Sequence, residues 1–140
     1  FGRKFKRSLE TDQINSLLNY GYAIVRAMIA RSICGAGLHP TLGLFHHNQY
    51  NALCLADDIM EPFRPWVDSE VFQIVKNEPP QINQRTKKIL LGLLDQSVVY
   101  NKKIMPLMVA SHYLIANLKR CYNKDLKIIK YPELVKRKIR

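Results

Sequence analysis

Apolar residues recur along the first part of the chain at the spacing of a helix. They follow a period of about 3.6 residues, at Ile14, Leu17, Leu18, Ile24, Val25, Met28, Ile29 and Ile33. The pattern predicts a helix over residues 11–36, with Thr11 or Asp12 as its N-cap. Because Gly35, Gly37 and Pro40 follow the last apolar position, the helix is expected to end there.

The remaining pattern predicts further helices and one hairpin. A loop over residues 38–47 leads to a helix at 49–61, which Pro62 and Pro65 should interrupt. Three more helices are predicted at 66–76, 83–95 and 105–122. Residues 97–104 suit a short β-hairpin with its turn at Asn101-Lys102, and the basic end from Leu126 onward is expected to be frayed. The predicted fold is therefore all-α, a mainly helical bundle that forms one domain over residues 1–140.

Charge changes this picture from a plain helical bundle to a candidate polyanion-binding protein. The chain has 22 Lys and Arg against 11 Asp and Glu, a formal net charge of +11. Such a charge attracts nucleic acid, although a merely basic domain is the simpler alternative. The most apolar stretch, residues 23–38, is broken by Arg26 and Arg31, so no membrane span is predicted. An odd count of three cysteines without a CxxC motif predicts reduced, mostly buried thiols and a cytoplasmic location.

Histidines and acids gather in one part of this basic chain. His46 and His47 precede Asp57, Asp58 and Glu61. Glu61 is three and four residues from the two aspartates, so on a helix it can converge with one of them. One imidazole with one or two carboxylates suits Mg²⁺ or Mn²⁺, whereas no HExxH or His-Cys cluster indicates zinc. The alternative is a solvated acidic face with a capping or core histidine.

The basic residues are candidates for DNA phosphate contacts. Arg64 could grip a phosphate by bidentate contact, or it could form an ion pair with Asp68 or Glu61. Phe63, Trp66 and His112 are predicted to be core residues, and His39 a loop residue. The other candidates for DNA contact are Arg3, Lys4, Lys6, Arg7, Arg26 and Arg31, the last two projecting from the apolar stripe of the first helix.

Three segments carry a family likeness: LNYGY at residues 18–22, GLHPTLGLFH at 37–46 and DDIMEPFRPWVD at 57–68. Together they resemble the CRISPR spacer-acquisition integrases, metal-dependent nucleases, in the style of the type II systems. The likeness is close over the first half of the chain and looser over the second half, which resembles the family's C-terminal helical domain.

The resemblance implies a role for each matching residue. His46 is the expected catalytic metal ligand, with His47 as a second choice, and Glu61 is the expected acidic ligand. Asp58 is expected to support Glu61, and Asn19 and Arg64 are expected to give support and DNA contact. The implied cofactor is Mg²⁺ or Mn²⁺. The implied reaction is attack by a DNA 3′-hydroxyl on a phosphodiester at the leader–repeat boundary.

The chain also departs from the family pattern. The family's first glutamate ligand is expected upstream of FGRKFKR, and its N-terminal β-rich dimerisation domain is not found in these residues. The chain is therefore expected to be the C-terminal catalytic domain. The implied partners are double-stranded and branched DNA, a second copy in the complete protein, and a small dimeric CRISPR adaptation protein.

Two other functions compete with this interpretation. A non-catalytic DNA-binding domain would use the acids and His46 in a structural ion-pair network with Arg64. A helical interaction module would direct its positive charge to a protein or RNA partner.

Overall fold

Within residues 2–45 and 48–135, which this computed structural model describes, five α-helices pack with a small antiparallel sheet. The side chains of residues 2–8 lie outside the description. The helices are α1 (Gly2–Gly35), α2 (Cys54–Met60), α3 (Arg64–Asn77), α4 (Gln84–Leu91) and α5 (Leu107–Tyr122). The strands are β1 (Ser97–Tyr100), β2 (Lys103–Pro106) and β3 (Glu133–Leu134). The prediction of a mainly helical fold is confirmed, but the sheet is larger than the predicted hairpin.

The long helix α1 organises the core. It contacts α2, α3, α4 and α5, and its apolar stripe buries Leu17, Val25, Ile29 and Ile33. At Gly21 the backbone of α1 comes so close to α3 that an added Cβ would lie 2.4 Å from Val67 Cγ1. Burial of this stripe against four helices, rather than the intrinsic propensity of α1, is the main source of its stability.

The two ends of α1 differ in how well the sequence predicts them. The expected cap at Thr11 or Asp12 is wrong, because the helix continues back to Gly2 and Ser16 Oγ donates to the Asp12 carbonyl at 2.8 Å within it. The predicted end is confirmed. Gly37 adopts a φ of +76°, its N–H donates to the Cys34 carbonyl and the Leu38 N–H donates to the Ile33 carbonyl, which together form a Schellman motif.

The proline-rich junction interrupts the helices for one short turn only. A single 3-10 turn, Glu61–Phe63, joins α2 to α3. Pro62 and Pro65 occupy first-turn positions of that turn and of α3, where a backbone N–H has no helical acceptor and proline is tolerated. The helix predicted at 49–61 begins only at Cys54, after a turn in which the Asn51 N–H donates to the Asn48 carbonyl. Glu61 therefore lies at the corner between two helices.

The second half of the chain follows the prediction with adjusted boundaries. Asn83 and Thr86 form a capping box at the start of α4, and the helix predicted to reach residue 95 tightens into a 3-10 turn, Gly92–Asp95. The hairpin turn is confirmed, since Asn101 and Lys102 have positive φ values of 48° and 64°, as a type I′ turn requires. Strand β2 runs to Pro106, so α5 begins at Leu107 and not at residue 105.

The C-terminal segment is not frayed over its described part. Strand β3 pairs with β1, with Val98 opposite Leu134 and Val99 opposite Glu133. The Tyr131 ring contacts the Phe63 ring at a centroid distance of 5.6 Å. The tyrosine hydroxyl donates to the Ile59 carbonyl at 3.3 Å. These contacts overturn the prediction up to residue 135, while residues 136–140 lie outside the described residues.

Individual burial predictions had mixed outcomes. Phe63 is buried and Trp66 is half-buried, as predicted. His112 is exposed on α5, so its assignment to the core is wrong. All three cysteines are free, but only Cys54 is buried, Cys121 being half-buried and Cys34 exposed. Among the described residues, no helix has both the length and the apolar content that a membrane crossing needs.

Candidate functional site at the corner of α2 and α3

Three carboxylates lie where α2 turns into α3. Asp57 and Asp58 belong to α2, and Glu61 begins the 3-10 turn after it. The sequence predicts that Glu61 converges with one aspartate. The structure instead gives each carboxylate a partner of its own, and these partners come from α3, from α1 and from the loop before α2.

Glu61 forms an ion pair with Arg64. The Arg64 Nε atom is 2.9 Å from Glu61 Oε1, and the two side chains are 41% and 49% exposed. Of the two interpretations left open for Arg64, the structure contains the ion pair with Glu61. The hydrogen bond to Glu61 raises the pKa of Arg64, against the opposing effect of burial. Such an exposed pair adds little stability, so its carboxylate can exchange partners at low cost.

Arg64 also connects this corner to α1. Its guanidinium carbon lies 4.7 Å from the centre of the Tyr22 ring, within the range of a cation–π contact. The Tyr22 hydroxyl donates to Asp68, so Asp68 takes Tyr22 as its partner. Burial and, after it, the hydrogen bond to Asp68 raise the pKa of Tyr22. Tyr22 therefore remains a protonated donor at neutral pH.

Asp58 holds the loop that precedes α2. Its Oδ2 atom accepts from the backbone N–H groups of Leu44 at 2.6 Å and Phe45 at 2.8 Å. Asp58 was predicted to support Glu61. In the described residues it instead supports the loop backbone just before His46. The charge of Asp58 is also a secondary cause, after burial, of the raised pKa values of Tyr122 and Tyr131.

Sequence reasoning missed a polar network around Asp57. Arg26 contacts both Asp57 oxygens, with Nε 2.6 Å from Oδ1 and Nη2 3.1 Å from Oδ2. The same Nη2 lies 2.9 Å from Asn51 Oδ1, and Asn51 Nδ2 donates to Asp57 Oδ2 at 2.6 Å. The sequence places Arg26 only among the DNA contacts, because no local spacing relates it to Asp57, 31 residues further on.

The other predicted site residues are dispersed or lie outside the described residues. Asn19 and Arg31 are exposed on α1. His46 and His47 lie outside the described residues, as do the side chains of Arg3, Lys4, Lys6 and Arg7. Among the residues that are described, no three His, Cys, Asp or Glu side chains gather as a metal site would require.

Of the three carboxylates at this corner, Glu61 is the most exposed. Both oxygens of Asp57 accept from Arg26, and Asp58 Oδ2 accepts from two backbone N–H groups. Glu61 is half exposed, and Arg64 contacts it at Oε1. A carboxylate in this setting, joined by an imidazole, has the donor chemistry for Mg²⁺ or Mn²⁺ with water and phosphate oxygens completing the coordination.

The sequence of this chain is similar to those of CRISPR-associated endonucleases. The CRISPR-associated endonuclease Cas1 of Neisseria meningitidis serogroup C (strain 8013) is 30% identical over 138 residues, 96% of this chain and 45% of the relative. CRISPR-associated endonuclease Cas1 1 of Francisella tularensis subsp. novicida (strain U112) is 33% identical over 100 residues, 66% of this chain and 31% of that protein. The chain thus spans less than half the length of these curated relatives.

A solved structure shares the fold. A casposase bound to an integration product superposes with a TM-score of 0.70 at 21% identity, over 84% of this chain and 39% of that chain. The sequence profile of the family described as CRISPR associated protein Cas1 matches residues 2–98. This chain therefore belongs to the Cas1 family of CRISPR-associated proteins.

Proposed function

We propose that this chain forms the helical catalytic domain of a metal-dependent DNA endonuclease and integrase. The enzyme would insert new spacers into a CRISPR array, through attack of a DNA 3′-hydroxyl on a phosphodiester at the leader–repeat boundary. The observation that carries the proposal is the half-exposed carboxylate of Glu61 at the corner of α2 and α3, in a chain of the Cas1 family.

Each residue of the corner has a proposed role. Glu61 and His46 would hold the metal, with His47 as the alternative imidazole. Arg64 has more N–H donors than its contact with Glu61 uses, and these can reach a phosphate oxygen beside the metal. A bound Mg²⁺ or Mn²⁺ would stabilise the charge that develops on the attacked phosphate. Asp58 would support the site through the backbone of Leu44 and Phe45.

The basic surface would position DNA without reading its sequence. Arg31 is exposed on α1, and the cations at residues 3–7 belong to the start of the same helix. We expect double-stranded and branched DNA as the substrate. A second copy of the complete protein and a small dimeric CRISPR adaptation protein are the expected protein partners.

One experiment tests the catalytic role. The full-length protein that contains this chain is assayed with Mn²⁺ or Mg²⁺ for nicking and strand transfer on branched DNA. We expect Glu61→Gln to lower the rate about 100-fold or more, because several kcal/mol of charge stabilisation depend on the metal. Parallel His46→Ala and His47→Ala variants show which imidazole is needed.

Glu78→Gln is the matched control for Glu61→Gln. Glu78 also pairs with an arginine, Arg85, at 3.4 Å. It follows α3 whereas Glu61 precedes it, so a 14-residue helix of about 21 Å separates them. Activity should therefore survive in Glu78→Gln.

A non-catalytic DNA-binding domain is the second candidate, and the ion pairs favour it. Asp57 and Glu61 are both paired with arginines, as a purely structural network requires. This second function replaces the first if the full-length protein binds DNA in a salt-dependent manner but does not cut it, whichever divalent metal is added.

A further inference from the structure

The loop between α1 and α2 is held on two sides by consecutive residues of α2. Asp58 accepts from the N–H groups of Leu44 and Phe45. Asp57 accepts from the side chain of Asn51, on the other side of the loop. The two aspartates therefore fasten the segments that precede and follow His46 and His47 in the chain.

Asn51 transmits the contact with Asp57 into the loop backbone. Its Oδ1 atom accepts from the Leu53 N–H at 2.9 Å, which closes a turn at the start of α2. The same Oδ1 accepts from Arg26 Nη2, while Nδ2 donates to Asp57. Both polar atoms of this amide are thus engaged, and their partners lie in α1, in α2 and in the loop itself.

Arg26 makes the arrangement stable. The Asp57 side chain is only 18% exposed, and a carboxylate in such a position is costly without a partner. Arg26 supplies a bidentate partner, which is stronger and more directional than a single contact. Because Arg26 belongs to α1, the contact also ties the loop and α2 to the central helix.

Apolar contacts hold only the two ends of the loop, where Leu38 and Leu53 pack against the core. The apolar side chains between them are largely in solvent: Phe45 is 84% exposed, Tyr50 is 87% exposed and Leu42 is 69% exposed. Little hydrophobic free energy is therefore gained when the loop lies on α2. The position of the loop depends chiefly on its hydrogen bonds to α2 and α1.

We propose that Arg26, Asn51, Asp57 and Asp58 form a loop clamp, which holds the loop on α2 at two aspartates about one helical turn before Glu61. In this proposal Arg26 is a positioning residue and not a DNA contact. The inference deepens the proposed function and rests on it where the metal site is concerned, because the clamped loop carries the candidate imidazoles. The part that concerns loop order stands on the described contacts alone.

Amide hydrogen exchange of the full-length protein tests the clamp. We expect Asp57→Asn and Arg26→Gln each to accelerate exchange in residues 48–53 by roughly 10- to 100-fold, since each removes a charge-assisted hydrogen bond. Exchange in the core of α5 should stay as in the wild type, because a general loss of stability would accelerate both regions. Exchange in the double variant should be little faster than in either single variant, because both substitutions break the same contact between Arg26 and Asp57.

Arg85→Gln is the matched control, because it removes the same charge and an Arg–Glu pair on α4, outside the loop and α2. If Asp57→Asn fails to fold, Asn51→Ala makes the same test, as it leaves the Arg26–Asp57 pair in place. Unchanged exchange at 48–53 in a folded clamp variant overturns the proposal. The proposal is also overturned if Arg26→Gln weakens DNA binding while amide exchange in residues 48–53 stays unchanged, because Arg26 would then be a phosphate contact.

Mn²⁺ affinity, measured by titration, separates this inference from the proposed function. We expect Asp57→Asn to weaken Mn²⁺ binding roughly 10- to 100-fold, as outer-shell changes commonly do. Accelerated exchange at unchanged Mn²⁺ affinity would overturn the positioning role. If the wild-type protein binds no Mn²⁺ at all, the proposed function fails, while the exchange result still decides whether the clamp exists.

Discussion

Asp57, Asp58 and Glu61 lie within little more than one helical turn, and their directions decide their chemistry. Successive helical residues point about 100° apart, so Asp57 faces α1 while Asp58 faces the loop. Glu61 begins the next turn, where Arg64 is three residues away. The same functional group thus becomes a partly buried anchor, an acceptor of backbone N–H groups or a half-exposed ion-pair partner, depending on what lies opposite.

Tyr131 gives a prediction at the scale of one residue. Burial and, less strongly, the charge of Asp58 raise its pKa above the ordinary value of 10.0. The folded state therefore keeps this proton longer than the unfolded chain does. The resulting stability is complete below about pH 10 and is lost as the pH rises through the folded-state pKa.

Urea unfolding at several pH values between about 8 and 11 measures this effect. The free energy of unfolding should fall more steeply with pH in the wild type than in Tyr131→Phe, which cannot titrate. At neutral pH the variant should lose about 0.5–1.5 kcal/mol with the hydrogen bond to Ile59. Tyr50→Phe is the control, because it makes the same substitution at an exposed loop position. An equal pH slope in wild type and Tyr131→Phe would contradict the prediction.

At the scale of elements, the approach of α1 to α3 gives a second prediction. A Cβ at Gly21 would lie 2.4 Å from Val67 Cγ1 and 3.6 Å from Leu90 Cδ2. Both side chains are fully buried, so neither can move into solvent. We expect Gly21→Ala to lower the free energy of unfolding by about 1–3 kcal/mol, which chemical denaturation can measure.

Gly35→Ala is the control within the same helix. Nothing lies within 4 Å of a Cβ at Gly35, and Gly35 is the last residue of α1, so we expect a gain in stability below the roughly 0.5–1 kcal/mol of a helix interior. Equal stability of Gly21→Ala and the wild type would show that α1 and α3 can separate without loss.

Elements with local signals were predictable, and elements with distant causes were not. Asn101-Lys102 identifies the hairpin because the turn chemistry is contained in two residues. Gly37 identifies the end of α1 for the same reason. Strand β3 escaped prediction because two residues, Glu133 and Leu134, are too few for a pattern and pair with a strand over 30 positions earlier. The start of α1 escaped because Thr11 and Asp12 favour an N-cap but cost only up to about 0.7 kcal/mol each in a helix interior, which tertiary packing overrides.

The same distinction applies to the candidate site. The motif around Glu61 pointed to the acidic residues, but not to their partners. Arg26 and Asp57 are brought together only by the packing of α2 on α1, a tertiary contact with no spacing signature. Arg64 lies three residues from Glu61, so its ion pair was among the stated alternatives.

The whole molecule carries a net charge of +11, and this gives a prediction about DNA binding. If the protein contacts about 6–10 phosphates, an increase in salt from 50 to 200 mM should weaken its DNA binding by roughly 10³- to 10⁵-fold. We expect Arg31→Gln to reduce the slope of log K against log salt by about one, because Arg31 is exposed on α1.

Arg26→Gln supplies the comparison on the same helix. Its guanidinium is engaged by Asp57 and Asn51, so its loss should leave the salt slope nearly unchanged. Fluorescence anisotropy with labelled duplex DNA measures both slopes. A slope that responds to Arg26→Gln and not to Arg31→Gln would reverse the two assignments.

Cys54 gives the protein a built-in chemical reporter. Its buried thiol lies 3.3 Å from the Asn51 carbonyl and 3.5 Å from the Asn48 carbonyl, so we expect opening of this turn to expose the sulfur to an alkylating reagent. Cys34 is exposed without any opening, so its alkylation rate serves as the reference within each measurement. The ratio of the Cys54 rate to the Cys34 rate therefore reports how much of the time the Cys54 thiol is accessible in the native protein, with and without DNA.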